Sequence, residues 1–370
     1  MANTPAPLNI ILSSGETYGH LNLAAALIEV IKEQAPGSSI VFVGANGRAP
    51  MEKAIPSDVA AYVLNMAPFD RRNAWKNSRL LFHISVSLIQ SLQILETHAP
   101  DIAVGLGAFP SGPLICAAAL KKIPTLIIEP NIYPGLTNRL LKNMVDKICI
   151  SFSETVRYFP ESKLILTGTP VRNSIISSAA DKTHACKNFG LDPGRPVCLV
   201  TAGSSDPGPV NKTIISSLPA FARHDIQLIL QTGEQQYDHV SDAIKKTGHC
   251  VVVLPFIDHM EEAYAAADIV VSRGGAVTLA ELAVRGMPAI IVPSASSTED
   301  HHISNASRFL REGASIIIKE HEIPEKLAGT IIDTIRNHQE LDRMGMRVRQ
   351  LATPQASRLI FDEIIKSVKN

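Results

Sequence analysis

The stretch Val270–Pro293, VVSRGGAVTLAELAVRGMPAIIVP, constrains the fold of this 370-residue chain more tightly than any other segment. The apolar run Ile269-Val270-Val271 reads as a buried strand, and the pair Gly274-Gly275 breaks it. An alanine- and leucine-rich helix follows, with Thr278 near its start and Glu281 one turn on. Gly286 ends that helix, and Pro288 leads into a second buried strand at Ala289–Val292. Strand, glycine turn, helix and strand form a βαβ unit, whose turn offers backbone N–H groups to a phosphate. Glu281 is then within reach of a sugar hydroxyl on whatever that phosphate carries. The segment reads as a nucleotide-binding half-site.

The same alternation extends along the chain. Strands are expected near Asn9–Ser13, Ser39–Gly44, Ala61–Leu64, Ile102–Gly105, Thr125–Ile128, Lys147–Ile150 and Lys163–Thr167. A second series runs through Val197–Thr201, Gln227–Gln231, Cys250–Pro255, Asp268–Ser272, Ala289–Val292 and Ser315–Ile318. Helices at Leu21–Gln34, Ser78–Thr97, Gly112–Lys121 and Thr137–Asn143 make parallel sheets with crossover helices the expected class. Two helices, Pro324–Asn337 and Gln355–Lys369, separated by Thr353-Pro354, are expected after the second series. A chain of this length exceeds what one core usually fills. Two doubly wound halves facing across a cleft are expected, hinged at Gly168-Thr169-Pro170-Val171-Arg172. The boundaries fall at 1–168 and 169–350, with 354–370 able to cross back onto the first half.

Composition excludes several classes. With 45% apolar and 19% charged residues and a net charge of zero, the chain is an ordinary globular protein rather than a general nucleic-acid binder. Cys116, Cys149, Cys186, Cys198 and Cys250 show no Cys-x-x-Cys spacing, which suits small core residues in a reduced cytosol. With the first strand expected close to Met1, no signal peptide is expected, and no apolar run approaches eighteen residues.

Candidate ligand residues gather at the expected carboxyl ends of strands, where doubly wound sheets bind ligands. Ser13-Ser14-Gly15-Glu16-Thr17-Tyr18-Gly19-His20 joins the first strand to its helix, and His20 there is a candidate base or pyrophosphate ligand. Gly105 to Gly112 forms a second glycine turn. Glu129-Pro130-Asn131 with Gly135-Leu136-Thr137-Asn138 ends the next strand, where Asn131 can serve a sugar or acyl group or cap a turn. In the second half, Ala202 to Ser205 with Asn211 can hold phosphate oxygens. Ile257 offers backbone groups to a base edge, and Arg172 in the hinge can meet a phosphate. No metal motif is evident, since the adjacent His301 and His302 point apart on a helix, and the sequence holds neither a Walker A lysine motif nor a Gly-x-Ser-x-Gly elbow. Arg71, Arg72, Lys76 and Arg79 interleave with Trp75, Leu80, Leu81, Phe82 and Ile84, which reads either as a basic-fringed apolar patch for an anionic membrane or as a buried helix with solvated ends.

Taken together, these segments resemble the MurG family of GT-B glycosyltransferases nearly end to end. The resemblance rests on Glu16 to His20, Gly105 to Gly112, Glu129 to Asn138, Gly168 to Arg172 and, most closely, Gly275 to Glu281. It implies an α/β GT-B fold and an inverting transfer of GlcNAc from UDP-GlcNAc to the muramoyl 4-hydroxyl of polyprenyl-linked lipid I, giving lipid II for peptidoglycan. It further implies a cytoplasmic enzyme, peripheral on the inner face of the cell membrane, with no cofactor, metal or nucleic acid. By that resemblance His20 is the catalytic residue. Arg172, Ser204, Ile257, Ala276, Val277, Thr278, Glu281 and His302 hold the UDP-sugar donor, with the family's glutamine falling at His301 or His302. Thr17, Gly19 and Asn131 meet GlcNAc and the acceptor. Two loops depart from the family pattern. Gly-Gly-Thr-Gly-Gly-His is Gly15-Glu16-Thr17-Tyr18-Gly19-His20 here, and Gly-Gly-Ser-Gln-Gly-Ala is Ala202-Gly203-Ser204-Ser205-Asp206-Pro207. A paralogue with another nucleotide sugar or acceptor, or a nucleotide binder without turnover, are the alternatives those loops leave open.

Overall fold

The computed structural model describes residues 5–15, 17–45, 51, 54–66, 80–201, 207–245, 251–294 and 301–369. They divide into two compact units, Met1–Arg172 with Pro354–Asn370 and Asn173–Thr353.

The first unit carries strands β1 (Asn9–Ser13), β2 (Ser39–Ala45), β3 (Ala60–Leu64), β4 (Ile102–Gly105), β5 (Thr125–Glu129), β6 (Lys147–Ile150) and β7 (Leu164–Leu166). They form one sheet in the order β3-β2-β1-β4-β5-β6-β7, every pair parallel. Its helices are α1 (Tyr18–Gln34), α2 (Leu80–His98), α3 (Ser111–Leu120) and α4 (Leu136–Leu141). β1, β4 and β5 are apolar almost throughout because helices cover both faces of the sheet. On one face Ile11, Val43, Ala103, Ile127 and Ile148 pack with Leu95 of α2, Leu114 of α3 and Leu141 of α4.

The second unit begins with α5 (Asn173–Ile176) and α6 (Lys182–Asn188). Its strands are β8 (Val197–Thr201), β9 (Gln227–Gln231), β10 (Val251–Leu254), β11 (Ile269–Ser272), β12 (Ala289–Ile291) and β13 (Ser315–Ile317), in the order β10-β9-β8-β11-β12-β13 and again all parallel. Between them run α7 (Gly208–Arg223), α8 (Tyr237–Lys245), α9 (Met260–Ala266), α10 (Ala276–Arg285) and α11 (His301–Arg311). After β13 come α12 (Ile323–Arg336), α13 (His338–Gln350) and α14 (Ala356–Lys369). α7, α8 and α12 cover one face through Ile214, Phe221, Val240, Leu327 and Ile331. α14 belongs to the first unit and packs against α1 and β4.

Each sheet has the doubly wound order expected from sequence, and strand limits agree to within one or two residues. The expected tail of two helices is corrected to three. α13 is polar, HQELDRMGMRVRQ, and buries only Leu341, Met344 and Val348, too thin a stripe to stand out against its charges. α13 packs on α10 through small residues. Gly286 ends α10 at φ 66°, and a Cβ there would meet the Arg349 guanidinium at 2.8 Å. A Cβ on Gly345 of α13 would sit 2.9 Å from the Gly286 carbonyl oxygen.

The two glycines should therefore differ in tolerance. Gly286→Ala meets a flexible side chain and a left-handed backbone, costing about 1 kcal/mol. Gly345→Ala gains about 1 kcal/mol of helix propensity but pushes on backbone that cannot yield as a side chain can, so overpacking near the upper end of about 1–3 kcal/mol leaves a net cost of about 2 kcal/mol, the larger of the two. Urea unfolding of both variants checks the ordering.

Candidate functional site

In the first unit, strand order reverses between β1 and β4, so the loops leaving their carboxyl ends diverge and open a crevice for ligand. Those loops are the two glycine turns. Thr17 is the N-cap of α1 in extended backbone, and its hydroxyl accepts from the His20 N–H at 3.4 Å. The same oxygen lies 2.8 Å from His20 Nδ1, which fixes the ring and leaves Nε2 as the nitrogen aimed away from the cap. A Cβ on Gly15 would collide with Ala108 and stand 2.9 Å from His20 Nδ1. Gly107 is left-handed at φ 86°, and a Cβ there would lie 3.9 Å from His20 Nε2 and 3.8 Å from Asn138 Nδ2. The buried Ser111 hydroxyl is within hydrogen-bond distance of the Ser13 carbonyl (2.9 Å) and the Gly107 carbonyl (2.7 Å), pinning the second turn to the end of β1.

One strand further, Glu129 ends β5 and is buried. Its carboxylate accepts from the Asn131 N–H (2.9 Å), Asn131 Nδ2 (3.0 Å), the Gly135 N–H (2.9 Å) and Asn138 Nδ2 (2.9 Å). Burial pushes the Glu129 pKa up, while these four donors pull the other way. The Asn131 amide is thus turned back onto Glu129 and closes its own loop. Gly168 and Thr169 belong with this unit, through Gly168 N–H to the Ile150 carbonyl (3.3 Å) and Thr169 to the Ser151 hydroxyl (2.8 Å). Arg172 is the last residue of that segment.

In the second unit the reversal falls between β8 and β11. The loop after β8 contains Ser204, which lies outside the described residues. After β11 comes the turn Arg273-Gly274-Gly275. Gly274 has φ 83°, and a Cβ there would meet Ile291 Cγ2 at 2.9 Å and the His302 carbonyl at 3.2 Å. Gly275 is the N-cap of α10 with no side-chain cap, and a Cβ on it would face open space. The N–H groups of Ala276, Val277 and Thr278 therefore form an uncapped helix start with the positive end of the dipole, suited to a phosphate. Glu281 is buried one turn along, and Tyr264 of α9 donates to its Oε2 at 2.8 Å. Ile257, also buried, follows β10 on the same edge.

His302 opens α11 behind the glycine turn. Burial, with Arg273 and His301 adding to it, lowers its pKa to about 4, so the ring is neutral at pH 7. Arg273 is itself buried and pairs with Glu320 at 2.6 Å. Among the described residues, no group of three or more His, Cys, Asp or Glu is gathered in a form that could hold a metal.

Each sheet therefore brings its candidates to one edge: Thr17, Gly19, His20 and Asn131 in the first unit, and Ile257, Ala276, Val277, Thr278, Glu281 and His302 in the second. Sequence reasoning missed Glu129 as the organiser of its loop, Tyr264 as the partner of Glu281, and the Arg273–Glu320 pair. Glu129 carried a signal, since a carboxylate closing an apolar strand must be satisfied by its neighbours. Tyr264 and Glu320 carried none, because their contacts depend on tertiary packing.

Residues 10–150 match the glycosyltransferase family 28 N-terminal domain, and residues 197–359 match the glycosyltransferase family 28 C-terminal domain. The chain is 36% identical over 362 residues to a Bacteroides fragilis protein named UDP-N-acetylglucosamine–N-acetylmuramyl-(pentapeptide) pyrophosphoryl-undecaprenol N-acetylglucosamine transferase, covering 97% of this chain and 95% of that one. A Bacteroides thetaiotaomicron protein of the same name is 34% identical, covering 97% of each chain. Among solved structures, Acinetobacter baumannii MurG superposes with a TM-score of 0.74 at 24% identity, covering 97% of this chain and 100% of that one.

The neutral His302 has a measurable consequence. The unfolded chain takes up a proton below about pH 6.5 that folded His302 refuses until about pH 4, so stability falls as pH drops through that window. Between about pH 7 and about pH 4 the wild type should lose on the order of 2 kcal/mol more than His302→Gln. Urea unfolding at both pH values gives the comparison, and equal losses would remove His302 as the cause.

Proposed function

The chain belongs to glycosyltransferase family 28, in its MurG branch, and from that membership we propose that it moves GlcNAc from UDP-GlcNAc to the muramoyl 4-hydroxyl of polyprenyl-linked lipid I. The observation that carries the site assignment is the uncapped start of α10, with Gly275 open to space and Glu281 oriented by Tyr264 one turn behind it.

The reaction follows from the parts. Ala276, Val277 and Thr278 present N–H groups to the UDP diphosphate, and Glu281 accepts from a ribose hydroxyl. Ile257 offers its backbone to the uracil edge, Ser204 and Arg172 add polar contacts to phosphate, and neutral His302 serves the GlcNAc hydroxyls. His20, with Nδ1 held by Thr17, takes the proton of the acceptor hydroxyl on Nε2. The acceptor oxygen bonds to the anomeric carbon as the bond to the diphosphate oxygen breaks, which inverts that carbon. UDP leaves with an added negative charge, which the helix start and Arg172 stabilise. Gly19 and Asn131 line the acceptor side.

Peripheral membrane attachment belongs to the same reading. No described helix is long and apolar enough to cross a bilayer. The expected patch at 71–84 lies outside the described residues as far as 79, but Phe82 is 68% exposed on α2. Ile89 on α2, Leu120 on α3, and Leu136 and Leu140 on α4, followed by Met144, are exposed too, with Arg139 and Lys142 among them. Exposed apolar side chains fringed by cations suit the interface of an anionic bilayer.

Purified protein with UDP-GlcNAc and a soluble lipid I analogue should release UDP and form the disaccharide; UDP binding without product would reject the transfer. His20→Ala should lower turnover by about 100- to 10,000-fold while UDP affinity stays within about two-fold, as calorimetry would show. Glu281→Gln should weaken UDP binding by about ten-fold through one charge-assisted hydrogen bond. Leu140→Glu should reduce sedimentation with phosphatidylglycerol vesicles without changing turnover on the soluble analogue, and unchanged sedimentation would remove α4 from the contact.

A further inference from the structure

Glu129 is 1% exposed, and among the described residues no cation pairs with it. A buried carboxylate persists only where donors replace the lost water. All four of its donors come from the eight residues that follow Pro130: the Asn131 N–H and Nδ2 on Oε1, the Gly135 N–H and Asn138 Nδ2 on Oε2. The carboxylate thus grips both ends of the loop and the first turn of α4 at once. Asn138 Nδ2 also donates to the Ile128 carbonyl at 3.0 Å, so both of its N–H bonds are spent and the amide plane is fixed. Asn138 Oδ1 is buried and has no partner among the described residues. Asn138 and His20 meet over one glycine, each within 4 Å of where a Gly107 side chain would begin.

We propose that Glu129 is a positioning residue for the acceptor side of the site: its two buried carboxyl oxygens hold Asn131 and Asn138 in one orientation, Asn138 beside the Gly107 turn that His20 also faces. The inference rests on the transfer proposed above. Two accepting oxygens matter as much as the shape. A glutamine in the same place would turn an NH2 group toward two N–H donors, whereas an aspartate keeps the charge but falls one methylene short of four donors. Glu129 and all four of its donors lie in the first unit, so the expected effect is on acceptor binding and not on UDP.

The test is steady-state kinetics with UDP-GlcNAc and a soluble lipid I analogue for wild type, Glu129→Gln, Asn138→Ala and the double variant, with acceptor-analogue affinity by calorimetry alongside. Glu129→Gln should raise acceptor KM and Kd at least about ten-fold and leave the KM for UDP-GlcNAc within about two-fold. The double variant should be no worse than the poorer single, because both changes act through one contact. Wild-type acceptor binding in Glu129→Gln, equal loss toward both substrates, or additive effects would overturn the proposal. If Glu129→Gln does not fold, Glu129→Asp is read by the same criteria, with an intermediate acceptor defect expected. A wild type that binds the acceptor analogue without transfer would reject the proposed reaction, while the calorimetric comparison would still decide the role of Glu129.

Discussion

The reversal of strand order beside the first strand of each sheet is the constraint on which everything else depends. Between β1 and β4, and again between β8 and β11, crossover helices leave on opposite faces and the loops above the strand ends separate. Backbone N–H groups at a helix start are then exposed to whatever enters. Both units place their glycine turns there, and a packed core of parallel strands fixes those turns in space. A helix start alone is a weak anion site; one held on a rigid sheet edge, with a buried acidic side chain a turn behind, can select a nucleotide.

Buried polar groups then convert scaffold into site. Glu129, Glu281 and Arg273 are each buried at a strand end or one turn into a helix, and each is held by a named neighbour: the loop amides, Tyr264 and Glu320. Burying a charge is costly unless it is satisfied, so these residues impose one loop geometry rather than many. The neutral state of His302 follows from the same crowding, since burial and the adjacent Arg273 both oppose a second positive charge.

The fold was legible because the strands are short, apolar and separated by glycine turns, giving a periodic signal that survives without knowledge of contacts. The helix that escaped, α13, has a core stripe of three residues, Leu341, Met344 and Val348, amid charges. Its place on α10 depends on Gly286 and Gly345, whose purpose emerges only when the two helices touch. The candidate site was legible as a set of positions, because strand ends can be counted from sequence. Orientation was not. Asn131 reads either as an amide for a sugar or acyl group or as a turn cap, and its side chain turns to Glu129; Glu281 reads as a ribose acceptor, and its alignment comes from Tyr264 on another helix.

The glycine loop after β1 shows how a site can drift in sequence while keeping its shape. Of the family's Gly-Gly-Thr-Gly-Gly-His, this chain keeps the first glycine, the threonine, the last glycine and the histidine. Gly15 cannot change, because a Cβ there collides with Ala108 and crowds His20. Thr17 cannot lose its hydroxyl without losing both the cap of α1 and the contact with His20 Nδ1. Tyr18, where the family has a glycine, is the first helical residue of α1 and needs no left-handed backbone, so a large side chain is accommodated. Gly19 is not sterically required by the described residues, among which a Cβ there would have only Thr17 Oγ1 at 3.9 Å. Packing among the described residues thus accounts for Gly15 and Thr17 but does not demand a glycine at position 19.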